Sequence, residues 1–301
     1  MNAMEIAARC GLTEEETRIY SEYVANAFTA AAAAKAADGT PAGDGGDDPD
    51  AQAKAEAEQQ ARASYFAFWE QVTDAVKSDG AAAVLNRALV AKRPVAFRCP
   101  EGISVEMYES CAGRIPVITF ADDEDFEAFL TNLLYKGVRP ETLGRTGASF
   151  VSGKVQRFIV LSSKPYSNVP GAWMGLEEAE WRRRSGVLRR EHECTHFYTK
   201  SVYGVARNNL HDELMADFFG LVEAMGEYRA AWFEHFMGID GRPEGRLAVY
   251  TKELPEAVVR AVARTGHEAA VWLEEWARSE EFARLSRVER MEVLCRKGLP
   301  W

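Results

Sequence analysis

The chain contains 301 residues, of which 47% are hydrophobic and 11% aromatic, and it carries a formal net charge of −10 at pH 7. This length is enough for one main domain with appendages or for two domains. The negative charge argues against nucleic acids and anionic membranes as partners, because both bind basic surfaces. No apolar run approaches the length of about 18 residues that a membrane-spanning helix needs.

The cysteines and the N-terminus indicate a cytoplasmic protein. Five cysteines are scattered along the chain without a C-x-x-C pair, as is typical of reduced thiols and not of a disulfide framework. Glu5 and Arg9 interrupt the apolar stretch in which a secretory signal would lie.

The N-terminal part of the chain is predicted to form a helical hairpin. Thr13 and Glu16 have the spacing of a capping box, and an Ala-rich stretch continues this first helix to Ala37. Residues 38–50 are rich in Gly, Pro and Asp, and we predict a disordered loop there. A second helix is predicted over residues 51–77.

After this predicted hairpin, the sequence contains segments typical of β-strands. Residues 95–99, 115–120 and 156–161 are short and rich in β-branched or aromatic side chains, which predicts three strands. Residues 123–135 have helical periodicity. From about residue 176 onwards the pattern is helical.

These elements predict an α+β fold that is predominantly helical. We expect residues 1–88 to form the N-terminal helical hairpin with its disordered loop. Residues 89–301 are expected to form a second domain, which contains the small sheet and the C-terminal helices.

Residues 192–196 read H-E-C-T-H, an H-E-x-x-H motif. On an uninterrupted helix, His192 and His196 lie one turn apart on the same face, so both imidazoles can reach one metal ion. Glu193 is close enough to take a proton from a metal-bound water without acting as a ligand. The alternative is that both histidines are ordinary, partly exposed residues of a charged helix.

A second predicted helix adds two acids at a spacing of four residues, Glu213 and Asp217. One of them could complete a His₂Glu site that leaves the fourth position of zinc for water, and the other could accept the remaining N–H of a ligand histidine. Asn209 and Asp212 have an ordinary explanation as N-cap and capping-box residues. An acid at Asp217 lies in an apolar run, where it is costly unless hydrogen-bonded or metal-linked.

H-E-x-x-H on one helix and E-x-x-x-D on the next resembles the gluzincin branch of zinc metallopeptidases, over roughly residues 187–220. The resemblance implies a zincin-like core, in which a small sheet accompanies the active-site helix and the second ligand helix. It implies three Zn²⁺ ligands: His192, His196 and Glu213. It further implies that Glu193 is the general base and that Asp217 orients His192.

Two further features would be needed for hydrolysis. The resemblance implies a strand that binds extended substrate by edge pairing, for which residues 156–161 are the candidate. The developing oxyanion also needs a hydrogen-bond donor. Tyr203 is the first candidate for that donor. The other candidates are Tyr198, His211, Arg246 and Tyr250.

We therefore expect a zinc metallopeptidase that acts on a peptide or protein substrate. Two alternatives stay open: a non-catalytic, metal-stabilised binding or scaffold protein, and a zinc hydrolase of non-peptide amides. A solvent-open cleft beside the metal would favour an enzyme, whereas a plugged one would favour a scaffold.

Overall fold

The computed structural model describes residues 2–37, 49–153, 157–205 and 209–299. These residues form many helices and one small mixed sheet, which confirms the α+β class. The predicted disordered loop 38–50 lies outside the described residues, except for its last two positions, which begin a helix at Pro49. Gln156, the first residue of a predicted strand, also lies outside them.

Most of the described residues lie in α-helices. In chain order they are α1 (Ala3–Arg9), α2 (Glu14–Val24), α3 (Ala27–Ala37), α4 (Pro49–Asp79), α5 (Ala81–Ala88), α6 (Asp123–Leu134), α7 (Glu178–Tyr203), α8 (Leu210–Met225), α9 (Ala230–Met237), α10 (Leu247–Tyr250), α11 (Glu256–Ala277), α12 (Glu280–Arg284) and α13 (Arg287–Arg296). Within the described part of the chain, none of these helices combines the length and the apolarity that crossing a membrane requires.

The sheet has four strands in the order β1-β2-β4-β3. The strands are β1 (Ile103–Ser110), β2 (Gly113–Phe120), β3 (Ala148–Ser152) and β4 (Arg157–Leu161). β2 and β4 are parallel, and the two outer pairs are antiparallel. Because β4 lies between β2 and β3, it offers no free edge, so the expectation that residues 156–161 supply a substrate-binding edge is wrong.

The predicted strand at residues 95–99 is also wrong. The N–H and C=O groups of Val95 bond to the side-chain amide of Asn86, at 2.8 and 2.9 Å. The N–H groups of Arg98 and Cys99 donate to the carboxylate of Asp125, at 2.8 and 2.9 Å. Side chains thus satisfy the backbone groups that a strand would have paired with a neighbouring strand.

The chain divides into two compact units. Unit 1 comprises Met1–Asp38 and Val169–Trp301, and unit 2 comprises Gly39–Asn168. This division differs from the boundary expected after residue 88. Helices α4 and α5 group with the sheet, whereas α1–α3 group with the C-terminal helices.

The core of unit 2 lies on one face of its sheet. Alternate residues of the strands, such as Ile118 and Phe120 on β2 and Phe158 on β4, are fully buried there. Trp69 of α4 packs against Phe158 with a ring-centroid distance of 5.1 Å. Phe129 of α6 belongs to the same cluster.

Unit 1 is built around α7 and α8. α7 ends at Gly204 and α8 at Gly226, both in the left-handed conformation that favours glycine. The two helices approach closely at Gly220, where an added Cβ would lie 2.7 Å from the carbonyl oxygen of Leu188. Any larger residue at 220 would therefore push the helices apart.

Candidate metal centre

His192 and His196 on α7 and Glu213 on α8 come together into one group. The Nε2 atoms of the two histidines are 3.1 Å apart. Nε2 of His192 lies 3.6 Å from Oε2 of Glu213, and Nε2 of His196 lies 3.6 Å from Oε1. For metal–ligand distances of about 2.0–2.2 Å, tetrahedral geometry places neighbouring ligand atoms about 3.3–3.6 Å apart. The observed pairwise distances are close to that range, and one ligand atom from each residue lies within 4.8 Å of the other two, so these three side chains could hold a metal ion.

The group is almost completely enclosed by protein. His192 and His196 are each 7% exposed, and Glu213 is 3% exposed. Burying an acid and two imidazoles is costly unless they are paired with one another or with a cation. Their burial side by side therefore favours a binding site over an accidental grouping.

Each histidine also faces a buried aspartate through its second ring nitrogen. Nδ1 of His192 hydrogen-bonds Asp217 at 2.9 Å, as predicted for an orienting carboxylate. Nδ1 of His196 lies 3.2 Å from Asp212. Both aspartates have no exposed surface.

The side chain of Asp212 is the feature that the sequence prediction missed. Its backbone N–H does donate to the N-cap Asn209 at 3.1 Å, as expected. Its carboxylate, however, faces His196 and accepts a hydrogen bond from Thr199 at 3.4 Å. The sequence signal was a second acid directly before Glu213, which we explained by capping of the helix N-terminus alone.

The acids create a strongly negative environment at the site. Burial disfavours the charged form of His196, but the negative charges of Asp212, Glu213 and Glu193 outweigh it and raise the pKa of His196 to about 10. Burial also raises the pKa of Glu193, although His192 and His196 counteract this shift. Such a field favours a cation between the ligands.

Two residues at α10 reach the same acids from another side. The hydroxyl of Tyr250 donates to Oε2 of Glu213 at 2.8 Å. The guanidinium of Arg246 bonds Oδ2 of Asp217 and lies 3.7 Å from Oε2 of Glu213. Both residues were alternative candidates for the oxyanion donor.

The structure does not bring Tyr203, the first candidate donor, into this group. Its ring packs against Phe28 with a centroid distance of 5.6 Å. Burial and the neighbouring Cys295 raise the pKa of its hydroxyl to about 12. His211 is likewise directed elsewhere, because its Nε2 lies 3.1 Å from the carbonyl oxygen of Leu294. Tyr198 is buried within α7.

Residues 82–156 and 154–299 match the model of a protein family that is described as a family of unknown function, DUF7005. No curated protein and no solved structure matches the chain. The matched residues include the whole sheet, α7, α8 and α10. Because the match extends over well more than half of its length, the chain belongs to the DUF7005 family.

Proposed function

We propose that this protein is a zinc-dependent hydrolase, and specifically a metallopeptidase, in which α7 and α8 form a zincin-like pair of ligand helices. The observation that carries the proposal is the buried group of His192, His196 and Glu213, in which one ligand atom from each residue lies within 4.8 Å of the other two. Two imidazole nitrogens and one carboxylate oxygen are a donor set that suits zinc.

The number of ligands supports a catalytic site over a structural one. Structural zinc sites are closed by four protein ligands, whereas catalytic sites use three and keep a position for water or substrate. Among the described residues, the group contains three members.

Glu193 is the group that would move the proton. Bound zinc would lower the pKa of a coordinated water towards about 7 and polarise the substrate carbonyl. Glu193 is half-buried and interacts electrostatically with all three ligand side chains. Its carboxylate would accept a proton from the attacking water and deliver it to the leaving nitrogen of the scissile amide. The raised pKa of Glu193 makes it a stronger base than an exposed glutamate.

The remaining residues of the site would hold the ligands in place. Asp217 accepts the Nδ1–H of His192 and thereby leaves its Nε2 free of a proton. Asp212 lies in the corresponding position beside His196. Arg246 offsets part of the negative charge of its two neighbouring acids, Glu213 and Asp217.

The replacement Glu193→Gln tests the proposal. The amide has nearly the same size and Glu193 is not a proposed ligand, so we expect about one zinc per chain to be retained. Cleavage of a peptide library by the wild type should fall by orders of magnitude in the variant. Glu180→Gln, in the first turn of α7 and paired there with Arg183 and Arg184, is the matched control and should keep full activity. Undiminished cleavage by Glu193→Gln would contradict the mechanism.

Metal analysis tests the site independently of activity. His196→Ala and Glu213→Ala should each purify with sharply reduced zinc, because each removes one of three ligands. Full zinc content in both variants would contradict the assignment of this site.

The low exposure of the ligands favours one alternative, a metal-stabilised protein without turnover. In that case wild type and Glu193→Gln would bind equal amounts of zinc, unfold at the same temperature and cleave nothing. A wild type that cleaves simple amides but no peptides would instead indicate a non-peptide substrate.

A further inference from the structure

We propose that α10 positions the third metal ligand: Tyr250 holds one oxygen of Glu213, so that only the other oxygen is available to the cation. The inference rests on the metal site of the proposed function, but it does not depend on hydrolysis. It names a role for a segment that the H-E-x-x-H and E-x-x-x-D motifs do not include.

The two oxygens of Glu213 are equivalent as seen from the histidines. Oε2 lies 3.6 Å from Nε2 of His192, and Oε1 lies 3.6 Å from Nε2 of His196. From these distances alone, a cation between the imidazoles could bind either oxygen or both. A carboxylate binds metals in both ways.

The contacts from α10 distinguish the two oxygens. The Tyr250 hydroxyl donates to Oε2 at 2.8 Å, and Nη1 of Arg246 lies 3.7 Å from the same oxygen. The hydroxyl of Tyr250 and the guanidinium of Arg246 therefore both approach Oε2. Oε1 is the oxygen that would bind the cation.

α10 is itself held in place, so these contacts are not those of a loose surface segment. Leu247 and Thr251 are 6% and 3% exposed. The N–H of Arg246 donates to the carbonyl oxygen of Phe236 at the end of α9, at 3.2 Å. The Arg246 guanidinium also bonds Asp217, the partner of His192. One short segment thus fixes both acids of the E-x-x-x-D motif.

The number of oxygens that Glu213 contributes decides the coordination number. One oxygen and two imidazoles leave the fourth position of a tetrahedral ion open. If both oxygens bound, the protein would fill that position or force a five-coordinate ion. Without the Tyr250 hydroxyl, Oε2 would lose its closest donor and could turn towards the cation.

Cobalt substitution of the full chain tests the inference. Co²⁺ replaces zinc in sites of this kind, and its visible absorption is strongest in tetrahedral geometry and weaker when it is five-coordinate. Tyr250→Phe removes only the hydroxyl. We expect weaker visible absorption and an affinity for Co²⁺ that is lower by about 10–100-fold, the usual cost of losing a partner of a metal ligand.

Tyr20→Phe is the matched control. It also removes a buried tyrosine hydroxyl from unit 1, one that lies 2.6 Å from Thr265, and it should leave the cobalt spectrum and affinity unchanged. Circular dichroism of each variant checks that it folds. A spectrum and affinity of Tyr250→Phe equal to those of the control would overturn the inference.

A crystal structure of the zinc-bound wild type provides a test that needs no variant. We expect Oε1 of Glu213 on the metal and Oε2 on Tyr250, and bidentate binding would overturn the inference. These measurements use no substrate. A protein that binds cobalt but hydrolyses nothing would therefore overturn the proposed function while still showing the effect of Tyr250.

Discussion

Two buried aspartates act on different histidines, although they lie close together on α8. Asp217 hydrogen-bonds His192 at 2.9 Å, and Asp212 lies 3.2 Å from His196. A carboxylate beside the second nitrogen of an imidazole fixes its tautomer and raises its basicity as a ligand. The site therefore has an orienting acid for each histidine.

Replacing either aspartate by asparagine should weaken zinc binding without removing a ligand. We expect Asp217→Asn and Asp212→Asn each to lower the affinity by about 10–100-fold, measured by competition with a chelator. Asp240→Asn is the matched control, because Asp240 pairs with His235 at 2.6 Å outside the metal group. If Asp212→Asn binds zinc as well as this control, Asp212 serves only to begin α8.

The pairing of His192 with His196 could be predicted from helical spacing, whereas Glu213 on the next helix was expected from the resemblance to gluzincins. Tyr203 shows where such reasoning fails. It lies on the same face of α7 as His196, but seven residues at 1.5 Å each place it about 10 Å further along the helix, where it meets Phe28. The contacts of Tyr250 arise from packing between elements distant in sequence, which no local pattern indicates.

At the scale of elements, His211 joins α8 to α13. It is 3% exposed, and its Nε2 bonds the carbonyl oxygen of Leu294 at 3.1 Å. Burial lowers the pKa of His211 from 6.5 to about 4, although the bond to Leu294 opposes this shift. The folded protein therefore keeps His211 neutral over a range in which the unfolded chain protonates it.

This shift predicts a loss of stability in acid. Above pH 6.5 neither state is protonated at His211, and the stabilisation is complete. As the pH falls from 6.5 to about 4, the free energy of unfolding should decrease by up to about 1.4 kcal/mol per pH unit from this group. Urea unfolding of the chelator-treated wild type should show the decrease relative to His211→Gln, which keeps an N–H donor but does not titrate. Parallel pH profiles of the two proteins would contradict the assignment.

The strands show how far local patterns determine the fold. β2 and α6 could be predicted, because an apolar run and helical periodicity mark them clearly. Residues 95–99 have a comparable composition but bond to Asn86 and Asp125. Whether such a segment becomes a strand depends on which partners the rest of the chain presents to its backbone.

At the scale of the whole molecule, all proposed ligands belong to unit 1. A ligand that binds only the folded state stabilises it, by about 4.1 kcal/mol at a concentration of 1,000 times the Kd. Zinc should therefore slow hydrogen exchange of the backbone amides of α7 and α8, and treatment with a chelator should reverse the effect. We expect smaller changes in β1, β2 and β4, which belong to unit 2. Equal protection in both units would show that they unfold together.

Gly220 supplies no ligand atom, yet it would affect which ions the proposed site selects. Because Gly220 has no side chain, the backbone of α8 comes so close to Leu188 of α7 that a Cβ would not fit between them. The same two helices carry the two imidazoles and Glu213. Zinc binds at about 2.0–2.2 Å and calcium at about 2.3–2.6 Å, so a small increase in helix separation would favour the larger ion. If the proposed site holds zinc, its discrimination by ionic radius would in this way depend partly on a residue that never touches the ion.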